Sequence, residues 1–334
     1  MDSRQLRYFA SIYEHRSLAG AGDHERVAVS ALSHHLSNLE AEFGTALFVR
    51  KSRGVVPTAA GDRLYDHAKS ILKAIALAEH DVRGASGDVA GDVSVGMAYS
   101  CMKAIGVPML KRIQESYPRL KLTLSESLSG STLIHLLSSE VELAVVYNPP
   151  PNPRLKTEPL LEEQMLCIGK PEIIGASAKP ITFAEILELP VIILRQGLSA
   201  KALMDNRTLL KKLEAAAQWQ MNSVYAITGA LLAGLGCIIG TRHFLSDQIE
   251  QGQLHARPIV EPELMRTLYI CEMADQRTSF ALEAVRTLIR DLAVEAVQSG
   301  AWPATVLADG DGHAARRTTA RRSRGAVKAR QLKR

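Results

Sequence analysis

Only four cysteines occur among the 334 residues. Cys101, Cys167, Cys237 and Cys271 are far apart, with no C-x-x-C pair and no histidines at metal-ligand spacing. That excludes a disulfide-stapled module and a zinc finger, and points to reduced thiols in a cytoplasmic protein. Long hydrophobic runs are missing as well. The longest apolar stretch, Ala226 to Gly240, is broken by Thr228 and four glycines, short of the ~20 residues that a bilayer span requires. The opening MDSRQLRYF lacks the apolar run of a signal peptide, so a cytoplasmic chain with no membrane partner is expected. No nucleophile has an acid–base partner at telling spacing, so neither an enzyme nor a cofactor or metal site is expected. Acidic residues are absent from Gly312 to Arg334, a stretch with nine Lys and Arg. Without it the chain has 31 Lys and Arg against 35 Asp and Glu, a net −4 over the other 311 residues. The basic pI of about 9.0 therefore belongs to a tail and says nothing about the body.

What is present begins with a compact, turn-rich segment, residues 1–57. Leu6, Phe9, Ala10 and Tyr13 recur at helical spacing on one face of a first helix. Ser17 is placed to cap a second, short helix with Leu18 and Ala21. A third helix buries Leu32, Leu36 and Leu39, is closed by Phe43, and ends at Gly44, where a left-handed residue is needed. Leu47–Lys51 and Gly54–Pro57 read as a small hairpin. These are the proportions of a winged helix-turn-helix, whose second helix enters the major groove. Its outward face is Val29, Ser30, Ser33, His34 and Ser37: the hydroxyls suit base edges and Val29 a thymine methyl. Arg50, Lys51 and Arg53 at the hairpin suit phosphates or a narrow minor groove. Charge does not settle this, since residues 1–57 hold seven Lys and Arg against six acids.

Residues 58–90 form a linker. Thr58 caps a helix from about Ala59 to Gly84, on which Leu64, Ala68, Ile71, Ile75, Ala78 and Val82 are spaced 4, 3, 4, 3 and 4. That heptad seam predicts homodimerisation. Gly84–Gly91 is small and polar and suits a hinge. Residues 91–300 then alternate strands (Asp92–Met97, Lys121–Glu126, Val141–Tyr147, Met165–Gly169, Val191–Leu194, Cys237–Gly240) with helices, as βαβ units on a parallel sheet do. Two α/β lobes with a cleft between them are expected. Strands Leu254–Pro258 and Thr267–Met273 and a helix from Ser279 to Gln298 close the region. Residues 301–334 read as a basic disordered tail.

Ligands in open α/β sheets sit beyond the C-terminal strand ends, near helix N-termini that favour anions. That rule selects Ser100 after the first strand and Ser129, Gly130 and Ser131 after the second. In the second lobe it selects Arg195 and Gln196, and then Thr228, which is expected to open a helix after a strand Val224–Ile227. Hydroxyls, backbone donors and one arginine suit a carboxylate-bearing metabolite. Caps alone would explain the same serines and threonine. Cys101, near the cleft, reads as a packed thiol or, if a helix N-terminus activated it, as a sensor.

Residues 1 to about 300 resemble a LysR-type transcriptional regulator. The resemblance is carried by RQLRYF (Arg4–Phe9), SLAGAG (Ser17–Gly22), ALS (Ala31–Ser33), LEAEFGTALFVR (Leu39–Arg50) and RGVVPTAAG (Arg53–Gly61). GDVSVGMAYS (Gly91–Ser100) and LKTEPLLEEQMLCIG (Leu155–Gly169) extend it. Within the family, the nitrogen assimilation control subgroup is nearest. The resemblance implies a winged helix-turn-helix, a dimerising linker helix and a two-lobed effector domain like that of periplasmic binding proteins. It implies duplex DNA, a second copy of the chain (homodimer, then homotetramer), a small-molecule effector and RNA polymerase as partners, with an interrupted inverted repeat as operator. Two alternatives stay open: a regulator without an effector, and a two-lobed small-molecule-binding protein with no DNA role. The chain also departs from the pattern. Ala28-Val29-Ser30 stands where the family usually has Ser-Gln-Pro, so Ala28 offers no cap and Val29 no amide for a base. His34 and His35 replace the usual Arg and Gln. A phosphate contact by His34 would weaken between about pH 6 and 8 as its charge is lost. The four basic clusters of the tail read either as a solubilising end or as extra phosphate contacts.

Overall fold

The computed structural model describes residues 1–51, 54–83, 89–194, 206–276 and 278–307. Contacts divide the chain into two units, Met1–Asp88 and Val89–Arg334.

The first unit runs α1 (Ser3–His15), α2 (Leu18–Glu25), α3 (Val29–Phe43), a hairpin of β1 (Phe48–Lys51) and β2 (Gly54–Pro57), and α4 (Ala59–Arg83). Most of the starts are capped. Asp2 and Gln5 form a reciprocal capping box on α1, the Ser17 hydroxyl accepts the Gly20 N–H, and the Thr58 hydroxyl accepts the Gly61 N–H. Helix α3 begins without one: Ala28 sits at its N-cap and contributes only its carbonyl, 3.2 Å from the Leu32 nitrogen. Gly44 ends α3 at φ +64°, as its position requires.

Leu6, Phe9, Ile12, Leu32, Leu36 and Leu39 pack with Leu47 and Phe48 into one core. Phe43 does not close the α3 face as expected and is 44% exposed. Leu47 and Phe48 take that place, their N–H groups held by Glu40 Oε1 at 2.7 and 3.2 Å. The hairpin docks on the α1–α2 turn through Val55 N–H and the Arg16 carbonyl, 2.9 Å apart. A Cβ on Gly54 would stand 2.3 Å from that carbonyl, so only glycine permits the approach.

The heptad seam divides. Leu64 packs against this core and Ala68 is fully buried in it, so both close their own domain and are not free for a partner. Ile71 and Ile75 remain 38% and 37% exposed, and Ala78 is exposed. Of Val82 only the backbone is described.

In the second unit, β3 (Ala90–Ala98), β4 (Arg119–Ser127) and β5 (Leu143–Tyr147) pair in parallel. Between them run α5 (Tyr99–Cys101), a π turn, α6 (Val107–Ser116) and α7 (Ser129–Leu137). Then β6 (Leu155–Gly169) extends through both lobes. The second lobe adds α8 (Pro171–Ile174), β7 (Ile181–Thr182), α9 (Phe183–Leu187), β8 (Val191–Leu194), α10 (Arg207–Ala216) and β9 (Ala217–Met221). It continues with α11 (Val224–Leu232), β10 (Cys237–Thr241), α12 (Ser246–Glu250) and β11 (His255–Val260). The chain returns through β12 (Met265–Met273), α13 (Phe280–Gln298) and β13 (Thr305–Val306).

The strand order is β4-β3-β5-β12-β6-β10-β8-β9. The sheet is therefore mixed where a parallel one was expected. β12 runs antiparallel to β5 and β6, and β6 antiparallel to β10, because β6 and β12 carry the chain between lobes in opposite directions. The expected strand Met165–Gly169 is the end of β6, and Val224–Ile227 is the first turn of α11. Separate cores gather about Val95, Val145, Leu268 and Val285 in the first lobe and Cys167, Ile193, Cys237 and Ile259 in the second. No helix among the described residues is long and apolar enough to cross a membrane.

Candidate functional site

Helix α3 presents the face expected of a DNA reader. Val29 is 45% exposed, Ser30, His34 and Ser37 are exposed, and Ser33 is half-buried. Leu32, Leu36 and Leu39 anchor the opposite side. The hairpin and α3 are joined at this face by Arg50 Nη2, which donates to the Ser33 hydroxyl at 3.3 Å. His34 and Asn38 share a hydrogen bond of 3.2 Å one turn apart, so the imidazole is oriented along the helix. Arg50 and Lys51 are exposed on β1; Arg53 lies outside the described residues.

The second locus is the cleft between the lobes of the second unit. Ala98, Ser100, Ser129 and Tyr147 line it from the first lobe, with Leu194, Ile239, Gly240 and Phe244 facing them from the second. The space left is about 30 Å³, the share of one or two waters. Tyr99 and Phe244 meet edge to face across it, with ring centres 5.4 Å apart. Lys103 reaches over the gap to Ser246 and Asp247 at 2.8 and 3.0 Å, and this holds the Asp247 carboxyl below its usual range. A wider space of about 640 Å³ adjoins the cleft, lined by Glu126, Asn222, Thr228 and Gln248 among others.

Serines 100 and 129 are buried in the wall as expected. Gly130 and Ser131 fall inside the first turn of α7 and do not line the inner space. Thr228 is mid-helix, where its hydroxyl donates to the Val224 carbonyl at 2.9 Å, so it opens no helix. It lines only the outer space. Arg195 and Gln196 lie outside the described residues. Cys101 is fully buried and burial pushes its thiol up, which removes the thiolate a sensor requires.

Among the described residues a guanidinium in the wall comes from Arg266, on crossing strand β12. It is 7% exposed and faces Glu163, its direct cross-strand partner on β6, which is 1% exposed. Arg266 Nε and Nη2 donate to Glu163 Oε2 at 3.3 and 3.2 Å. Nη2 also donates to Ser100 of the first lobe and Thr241 of the second, at 3.3 and 2.9 Å. The guanidinium lies 3.6 Å above the Tyr147 ring. Glu163 Oε1 accepts from Trp302 Nε1 at 2.9 Å, and His243 stacks on that indole. One side chain thus touches both lobes and both crossing strands.

Several side-chain donors gather around this space. Ser100 Oγ already accepts from Arg266 and Ser129 Oγ from the Tyr147 N–H, so each hydroxyl keeps its proton to give. Burial pushes the Tyr147 phenol up, against the opposing pull of Arg266 and with the help of Glu163, so it stays protonated, and its hydroxyl makes no well-formed hydrogen bond among the described residues. Arg266 Nη1 makes no hydrogen bond among the described residues.

Residues 3–62 match the family described as bacterial regulatory helix-turn-helix protein, lysR family, and residues 86–293 match the LysR substrate binding domain. The nitrogen assimilation regulatory protein nac of Klebsiella aerogenes is 29% identical over 72% of this chain and 78% of its own. The regulator BbuR of Bordetella bronchiseptica is 27% identical over 91% of this chain and 93% of its own. Among solved structures, a full-length OxyR variant from Pseudomonas aeruginosa covers 88% of this chain and 94% of its own, with a TM-score of 0.65 at 19% identity. Full-length CbnR in complex with its target DNA covers 88% and 99%, with a TM-score of 0.60 at 18% identity. With both domains matched in order on a helix-turn-helix unit and a two-lobed α/β unit, the chain belongs to the LysR family of transcriptional regulators.

Proposed function

We propose that this regulator reads duplex DNA as a homodimer and answers to a small anionic metabolite held between its lobes. Val29, Ser30, Ser33, His34 and Ser37 would meet base edges in the major groove, and Arg50 and Lys51, with Arg53 beyond them, the phosphates. The open stretch Ile71, Ile75 and Ala78 of α4 supports the pairing of two copies, since apolar residues at heptad spacing are left for a partner after Leu64 and Ala68 are used internally. Two α3 helices related by a two-fold axis would read an inverted repeat.

The observation that carries the effector reading is the donor set. Arg266, Ser100, Ser129 and Tyr147, each carrying a side-chain donor, line one small space backed by Leu128, Leu194 and Ile238, which suits a carboxylate with a small apolar body. The space as it stands admits little more than a water, so binding requires the Tyr99–Phe244 contact to part. The ligand then selects a more open pair of lobes. Titration calorimetry with a panel of small mono- and dicarboxylates, against amines of equal size, tests this. Binding of a carboxylate that is lost in Ser129→Ala and Tyr147→Phe is expected. Binding of the amines alone, or carboxylate binding untouched by both substitutions, would overturn it.

A further inference from the structure

The outer space of the cleft differs in charge from the inner one. It holds about 640 Å³, and both spaces have Tyr99 and Leu128 in their linings. A ligand that outgrows the inner space passes these two residues into the outer one. Glu126, near the end of β4, is the one charged residue among the described residues that line the outer space. Its carboxylate has no hydrogen bond or ion pair among the described residues, and burial pushes it up. Its neighbour Asp247, by contrast, is already answered by Lys103 at 3.0 Å. The charge of Glu126 is felt at the shared wall: after burial, Glu126 and Asp247 are what push the Tyr99 phenol up.

The rest of this lining is neutral. Thr228 gives its proton to the Val224 carbonyl, so its oxygen is left to accept, and Asn222 and Gln248 each carry an amide oxygen. Tyr99 and Tyr225, the latter 91% exposed, add aromatic rings, whose faces attract cations. Helix α11 starts at the same space and its N-terminus favours anions, but with only about half an elementary charge. The Ser223 hydroxyl already takes the Ala226 N–H there, at 3.3 Å. The full charge of Glu126 outweighs it.

We infer that the outer space is a cation subsite, and that the effector is a zwitterion whose ammonium end meets Glu126 while its carboxylate occupies the inner space. This rests on the carboxylate reading of the inner space and adds the other end of the molecule. An uncharged tail would cover the Glu126 carboxylate without pairing it, and an anionic tail would be repelled by it.

Titration calorimetry of the full chain tests this with ω-aminocarboxylates, from β-alanine upwards in length, against n-alkanoates and dicarboxylates of equal length. At the length that spans both spaces the aminocarboxylate should bind about tenfold tighter than the alkanoate, as a hydrogen bond to a charged group provides. The dicarboxylate should bind more weakly than either. Glu126→Gln should erase the advantage of the aminocarboxylate, and Glu126→Lys should pass it to the dicarboxylate, a gain that misfolding cannot imitate. An advantage below about threefold at every length, no more than an ordinary exposed ion pair gives, would overturn the inference, as would one that survives both substitutions. In either case the alkanoates still bind and the reading of the inner space stands. If no carboxylate binds in any arm, both readings fall.

Discussion

Arg266 and Glu163 provide the sharpest energetic test of how the lobes are joined. The pair is 7% and 1% exposed, so removing one partner strands a charge that water does not reach. Breaking such a pair costs about 3–5 kcal/mol. Arg266→Met leaves the Glu163 carboxylate with only the Trp302 indole, and Glu163→Leu leaves the guanidinium with Ser100, Thr241 and the Tyr147 ring. Each alone should lose that amount. In the double substitution no charge is stranded, and what remains is the orphaned Trp302 N–H and the unanswered hydroxyls, worth about 1–3 kcal/mol. The double variant should therefore be more stable than either single one, with a coupling of at least about 3 kcal/mol. Urea unfolding of the full chain followed by tryptophan emission reads this directly, because Trp219 and Trp302 both lie in the second unit. Single costs below about 1 kcal/mol, or a double cost equal to their sum, would refute the view of a desolvated pair joining the two lobes.

Three further outcomes follow from local structure. Ile71→Lys puts a cation on the open part of α4 and should dissociate the dimer and abolish operator binding while the helical content stays; sedimentation together with gel retardation checks both halves. Ala28→Ser gives α3 the side-chain cap it lacks, in an extended N-cap conformation (φ −60°, ψ 138°) that accepts serine. Thermal unfolding should show the first unit gaining about 1 kcal/mol, and no gain would mean that the α3 start is satisfied in another way. Burial holds the His243 imidazole below its ordinary value, against the opposing pull of Glu163. Above about pH 6.5 the ring is neutral in both folded and unfolded chains. Below that, the unfolded chain takes up a proton that the folded one resists, so stability falls with falling pH. His243→Phe should remove that part of the acid loss, and an unchanged pH slope of unfolding would contradict it.

The local elements were legible because their causes are local. Ser17, Thr58 and Gly44 mark helix ends by chemistry that acts within three residues, and Leu32, Leu36 and Leu39 set the buried side of α3 by period alone. Phe43 shares that period, yet Leu47 and Phe48, held by Glu40, occupy its place. Long-range pairing escaped. β6 and β12 read as ordinary strands, and nothing in their composition states that they run antiparallel and bridge two lobes. The buried Arg266–Glu163 pair did leave a signal. Leu161, Glu163, Met165 and Cys167 alternate onto one face of β6, and Arg266, Leu268 and Ile270 onto one face of β12. An acid in one apolar face and a base in another should have marked a buried ion pair. The anionic rule selected Ser100 and Ser129, which line the inner space, and did not reach Arg266, because strand-end reasoning favours residues that follow a strand over those inside one. Trp302 and β13 went unseen because Ala, Pro and Thr around them carry no periodicity.

Hydroxyl-radical footprinting of the full chain on the DNA beside its own gene tests the central claim, that two α3 helices read one duplex under two-fold symmetry. Two equivalent protected patches on the same face are expected, their centres about 34–36 Å apart or a whole multiple of that, both vanishing together in Ile71→Lys. A single unsymmetrical patch, or protection that survives that substitution unchanged, would contradict it.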